Sequence, residues 1–235
     1  MTIRVIPLDR VEFTVMPWSW PFAEQRRAEI DTYFAGRNRG GVQLWNGRLL
    51  LARDHRVAGR DLVGTCFETD YASFLAWRDW SFPDPTIGNF FAMGALRSAD
   101  GAFLLGVMGA HTANAGCIYF AAGTPEPDDI VDGRVDLAGS IAREVAEETG
   151  LVGADYVAAP DWHVVTSGPR LALMKILTAP DTAVDLQRRM RAHLACEATP
   201  ELADIRIVRS SADFDPAMPD FIVAYLDHCF RVSAS

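Results

Sequence analysis

Apolar and polar side chains alternate from Arg4 to Met16, the period of two expected of a strand with one face on a core. Pro21 then stands where a helix can begin, and a stretch through Phe34 ends at Gly36. VQLW and RLLLAR flank Asn46-Gly47, the pair suited to the positive φ angles of a type I′ turn, which predicts a hairpin. Leu62 to Phe67 reads as a strand and Tyr71 to Trp80 as a helix, after which Pro83 and Pro85 break the pattern. Downstream, FAMGALRS and AFLLGVMG predict a second hairpin about Ala99-Asp100-Gly101. A short apolar strand (Cys117 to Ala121), an acidic loop and a helix ending at Gly150 follow. WHVVTSGPRLALMKILTAP reads as two strands, Asp185 to Cys196 as a helix, ADIRIV as a strand, and Met218 to Phe230 as a closing amphipathic helix. No internal repeat or low-complexity segment interrupts the order.

The proline-rich SFPDPTIGN is the expected domain boundary, with an α+β module over residues 1–85 and a larger domain over residues 86–235. Of the 235 residues 49% are hydrophobic and 23% charged, enough to bury a real core. The net charge of −9 argues against a partner such as polymeric nucleic acid, whose phosphates need clustered Lys and Arg. It leaves a nucleotide substrate open, provided that cations stand between protein and phosphates. Cys66, Cys117, Cys196 and Cys229 form no C-x-x-C pair, so they are expected to be reduced thiols of a cytoplasmic protein. MTIRVIPLDRVEF has no continuous apolar core of a signal peptide, and no run of 18 apolar residues predicts a membrane span.

Candidate chemistry is concentrated between Gly123 and Leu151. Asp136 is a plausible N-cap and Gly150 a plausible residue just past the helix end. Leu137, Ile141 and Val145 make a buried stripe, and Glu144, Glu147 and Glu148 fall within an arc of roughly 100° beside it. Three carboxylates so close repel one another, and the C-terminal half of a helix also disfavours anions. A cation compensates such a cluster, and Mg²⁺ is commonly held by a few carboxylates together with substrate phosphates.

REVAEETGL, Arg143 to Leu151, matches every fixed position of R-E-U-x-E-E-x-G-U (U apolar), the second half of the Nudix box. Chance supplies such a match on the order of once in 10,000 chains of this length. The sequence thus resembles the Nudix hydrolase family. The resemblance implies an α+β Nudix fold, an α/β/α sandwich preceded by the small module, and a Mg²⁺-dependent hydrolase, with Mn²⁺ as a substitute. Carried over by position, it makes Glu144 and Glu148 the principal metal ligands, Glu147 a ligand or base, and the carbonyl near Gly123 a further ligand. Arg143 orients a glutamate.

The first half of the box departs from the family pattern G-x5-E plus seven residues before the arginine. FAAGTPE is similar to the family's strand end, with Gly123 as its glycine and Glu126 as its acid. Gly123 and Arg143 are then 20 apart rather than 14, so the loop carries a six-residue insertion. Counting back fourteen from Arg143 gives Asp129, and Asp132 or Asp136 is a replacement for the missing glutamate. Glu201, before ADIRIV, matches the place of a late metal ligand or general base, with Glu197 as its competitor and a plain surface role equally weighted. His111 is either a phosphate contact or a structural histidine, and Arg170 a substrate contact or a hairpin residue. Trp18, Trp20, Trp77 and Trp80 are expected to pack the first module rather than stack on a base.

Marks of several family branches are missing: the four-cysteine module with S-Q-P-W-P-F-P, the tyrosine 16 to 18 residues after Gly150, and the proline about 15 after it. The β-containing N-terminal module, interrupted box and C-terminal helix look like the UDP-sugar diphosphatase branch. The expected substrate is a nucleoside diphosphate linked to another moiety, such as a UDP-sugar. The alternative is a nucleotide-sensing Nudix domain that binds without cutting. Residues 1–85 either cover the site or supply a surface for a homodimer.

Overall fold

The structure is a computed structural model and describes residues 2–38 and 44–233. Two sheets carry it, and the chain crosses between them at its first tight bend. Arg4–Leu8 (β1) and Arg10–Val15 (β2) divide what the alternation predicts as one strand. β1 pairs antiparallel with Trp162–Ser167 (β12), whereas β2 pairs parallel with Asp61–Asp70 (β4). A period of two reports burial on one face and is blind to which sheet supplies it.

Pro21–Gln25 (α1) and Arg27–Arg37 (α2) fill the predicted helical stretch. The Asn46-Gly47 hairpin does not form as expected. Val42 and Gln43 of its first arm lie outside the described residues, and Leu44 and Trp45 are not in a strand. Asn46 Oδ1 instead accepts from the Ala72 N–H (2.8 Å). The hairpin there is Arg48–Ala58 (β3) against β4, turning at Gly59, whose φ is 63°. A left-handed turn residue therefore marks the right kind of connection twelve residues on.

Tyr71–Asp79 (α3) covers one face of the small sheet with Trp20, Phe67, Phe74 and Trp77 between them. Trp18, Trp20, Trp77 and Trp80 pack in this region as expected: Trp18 edge-on to Phe67, Trp20 to Trp77, and Trp80 to Phe22 and Tyr33. The other face of the small sheet packs on the main core, where Phe13 stacks on Phe90 at 4.2 Å.

The larger sheet orders β1 and β12 beside Arg170–Thr178 (β13), Asn89–Arg97 (β5), Phe103–Met108 (β6) and Leu202–Val208 (β14). Short strands Ile118–Tyr119 (β7), Ala122–Gly123 (β8) and Val157–Ala158 (β11) join it at β6, β5 and β13. Leu137–Thr149 (α4) and Ala183–Leu194 (α5) cover one face. Asp220–Ser233 (α6) covers the other through Ile222, Tyr225 and Leu226. Helix, sheet and helix thus form an α/β/α sandwich within an α+β fold. Ile130–Val131 (β9) and Arg134–Val135 (β10) leave it to extend the small sheet beside β2. Sheet pairing therefore crosses residue 85 in both directions. Among the described residues no helix is long and apolar enough to cross a membrane.

Candidate active site

α4 begins where the Asp136 carboxylate accepts from the Gly139 N–H (2.9 Å) and ends at Gly150, left-handed at φ 72°. Leu137, Ile141 and Val145 are buried as the stripe predicts. Gly94 of β5 lets the helix come close: a Cβ there would meet Val145 Cγ2 at 2.7 Å and Leu177 Cδ1 at 2.9 Å. That proximity carries the next residues of the helix face down with the stripe. Glu148 is 6% exposed and Glu144 is largely buried, whereas the Glu147 side chain is 63% exposed.

Burial sets the electrostatics of these two carboxylates. It pushes Glu148 up to about 8, against one hydrogen bond from the Ala122 N–H to Oε1 (3.2 Å), and Glu201, Glu144 and Glu147 push the same way. Its Oε2 is buried without a hydrogen-bond partner. Burial likewise raises Glu144 to about 7, although Arg143 Nη1 donates to Glu144 Oε1 (2.7 Å) and pulls it back. Gly123, at the end of β8, is pressed against this carboxylate, and a Cβ there would collide with Glu144 Oε1. Burial works against the Arg143 charge, but Glu144, Asp129 and Glu147 outweigh it and hold the guanidinium above its ordinary value.

The acid in the loop is Asp129. Its buried carboxylate accepts from Arg143 Nη2 (3.1 and 3.3 Å), from Ser140 Oγ (3.2 Å) and from the Glu126 N–H (3.0 Å). The Pro127–Asp129 turn of 3-10 helix holds it there. Of the other loop acids, Asp136 is the helix cap, Asp132 is exposed at φ 49°, and Glu126 is exposed, its carboxyl raised by partial desolvation and by the nearby Asp129, Asp128 and Glu147. A signal for Asp129 exists in the sequence: it stands six residues after Gly123, the G-x5-acid spacing, so the insertion falls after the acid.

Glu201 faces the helix across a cleft of about 180 Å³ that Glu147, Glu148 and Glu197 also line. Its backbone carbonyl accepts from the Gly109 N–H (2.8 Å). His111 is exposed and lies against Gly109. Ala122 and Gly123 line a second cavity of about 400 Å³, in the size range of small-molecule sites. Arg170 reaches it, as do Tyr71, Phe74 and Arg78 of α3, whose part in a site no local motif reveals. Glu148 thus borders the cleft, and the backbone that Glu148 and Glu144 touch, Ala122 and Gly123, borders the cavity. Among the described residues no three His, Cys, Asp or Glu side chains converge tightly enough to hold a metal as they stand.

No family model and no curated protein matches the chain. Solved structures are similar to it at low identity. A Nudix hydrolase from M. smegmatis, RenU, is 14% identical with a TM-score of 0.40, over 63% of this chain and 85% of that one. The MutT protein of Methanosarcina mazei Go1 is 18% identical with a TM-score of 0.41, over 62% and 95%. A bifunctional NMN adenylyltransferase/ADP ribose pyrophosphatase from Francisella tularensis, complexed with AMP and an Mn ion, is 13% identical with a TM-score of 0.39, over 68% and 44%.

Proposed function

We propose that the chain is a Nudix-type pyrophosphohydrolase that cuts the diphosphate link of a nucleoside diphosphate joined to another moiety, with UDP-sugars as the first candidates. The observation that carries the reading is the pair Glu144 and Glu148, two largely buried carboxylates of the REVAEETGL helix, one with an unpartnered oxygen. Burying carboxylates without a compensating cation is costly, and strongly perturbed acids in a cleft mark functional sites. The donor set is all oxygen, which suits Mg²⁺ or Mn²⁺ rather than a softer metal.

Glu144, Glu148 and the carbonyl near Gly123 are the residues that would hold the cation. When bound, it supplies neutralisation of the diphosphate oxygens and acidification of water. The chain's own residues do the rest. Arg143 braces Glu144 from one side and Asp129 from the other, fixing the carboxylate against Gly123. Glu147 and Glu201 border the cleft and are the two candidates to take the proton of the attacking water. The water oxygen forms a bond to one phosphorus as that phosphorus loses its bond to the bridging oxygen. A nucleoside monophosphate and a phosphorylated remainder leave.

The spread of the carboxylates favours a second reading, a nucleotide-sensing domain that does not hydrolyse, since no three acids converge among the described residues. Release of UMP or AMP from a panel of sugar nucleotides and dinucleotides, with Mg²⁺ and with EDTA, separates the two. Mg²⁺-dependent release supports hydrolysis. Binding with no release supports the sensor.

A further inference from the structure

The cavity of about 400 Å³ beside Gly123 carries polar side chains that the hydrolytic machinery does not use, Arg78, Asn89, Asn114, Arg170 and Asp220 among them. Asn89 is 8% exposed, and its buried Oδ1 has no hydrogen-bond partner among the described residues. An unpaired buried amide oxygen costs about 1–3 kcal/mol, so the position is explained by a ligand that donates to it. Neighbouring Phe90 turns its ring to Phe13 in the core, so alternation along β5 turns Asn89 and Phe91 the other way, into the cavity. Arg170 is the register partner of Asn89 on the parallel strand β13 and lines the same cavity. Its guanidinium lies over the Phe82 ring at 5.3 Å, and among the described residues no carboxylate forms an ion pair with it.

Much of the remaining lining is aromatic. Tyr71 and Phe74 of α3 line the cavity together with Phe91 and Phe221, which meet edge to face at 5.6 Å. Flat aromatic walls hold planar rings by stacking, and every nucleobase offers such a face. The edge chemistry narrows the choice. An asparagine amide pairs with an edge that offers both a donor and an acceptor. A guanidinium only donates and prefers two acceptors, as with guanine O6 and N7. Together they match a base that presents carbonyl oxygens beside a ring N–H. Asn89 accepts from a ring N–H or an amino group alike, so the choice falls to Arg170, against which an adenine or cytosine amino group would set a donor against a donor.

We propose that Asn89 and Arg170 are specificity residues that select an oxo-bearing nucleobase, uracil or guanine, and that α3 of the N-terminal segment forms the stacking wall. This rests on the hydrolase reading for the substrate class and extends it to the base. It also gives residues 1–85 a part in substrate choice, through Tyr71, Phe74 and Arg78.

The test is calorimetric titration of UMP, GMP, AMP and CMP into the full chain without metal, for wild type, Arg170→Gln and Asn89→Leu, with circular dichroism to check each fold. UMP and GMP are expected to bind about ten-fold or more tightly than AMP and CMP, the scale of one bidentate base contact. Arg170→Gln should bring the four to near equality. Arg170 is partly exposed, so this variant carries the test if Asn89→Leu fails to fold. Equal affinities in wild type, no binding of any of the four at millimolar concentration, or an unchanged order in Arg170→Gln would each overturn the assignment. The base order without Mg²⁺-dependent hydrolysis would uphold this pocket and sink the catalytic reading; hydrolysis without the order would do the reverse.

Discussion

α3 and α4 start alike and bury opposite things. Each opens on an aspartate cap, Asp70 accepting from the Ser73 N–H and Asp136 from the Gly139 N–H, both at 2.9 Å. Each lays one face on a sheet. In α3 that face is Phe74, Leu75 and Trp77, and its charges are matched, Asp70 with Arg27 at 2.8 Å and Arg78 with Asp79 at 2.8 Å. In α4 the apolar stripe runs on into Glu148, whose second oxygen meets nothing. Apolar burial stabilises the fold by itself, whereas an unmatched buried carboxylate opposes it. The contrast separates a helix whose own packing and matched charges hold it from one whose buried carboxylate is left for a cation to match.

The contrast can be broken most forcefully in α3. Trp77 is fully buried and its indole N–H donates to the Asp84 carbonyl (2.9 Å). Trp77→Ala should cost about 3–5 kcal/mol in urea unfolding, with or without Mg²⁺. A loss below about 1 kcal/mol would mean that α3 is not held by packing. In α4 the opposite pattern is expected. Glu144→Gln with Glu148→Gln should lower Mg²⁺-dependent hydrolysis about 10²–10³-fold, the scale of losing a charge-stabilising group, and leave metal-free thermal stability at or above wild type. A destabilised double variant would place these residues with α3.

Asp129→Asn sharpens the picture at one remove, since it removes charge from the brace on Arg143 rather than a ligand. Metal affinity should weaken about 10–100-fold, measured by titration, with the helix intact by circular dichroism. Unchanged affinity would make the Asp129–Arg143 pair purely structural.

The smallest effect concerns pH. Burial, with His228 beside it, holds His163 below its ordinary value. A histidine that resists protonation only when folded leaves stability whole above pH 6.5, and stability falls as pH drops through that value toward the folded one. His163→Gln should therefore flatten the loss of Tm between pH 7.5 and 5.5. A steeper loss would contradict the sign.

Local features were readable from the sequence because they depend on neighbours in the chain. The Asp136 cap, the Gly150 terminus and the 137/141/145 stripe follow from helical spacing, and Trp18, Trp20, Trp77 and Trp80 pack as their bulk suggests, whereas Trp45 is exposed. Asp129 was countable, six residues after Gly123 and fourteen before Arg143, but an insertion offered rival acids, and its pairing with Arg143 sets it apart from them. The break between β1 and β2 and the α3 wall of the cavity are set by contacts distant in sequence, for which no period or turn residue codes.

The central claim is that Glu144 and Glu148 are a cation site, and Mn²⁺ titration followed by electron paramagnetic resonance addresses it without any substrate. Wild type should show saturable binding that Mg²⁺ competes away and that the double glutamine variant lacks. Binding of equal strength in both proteins, or none in wild type, would contradict it.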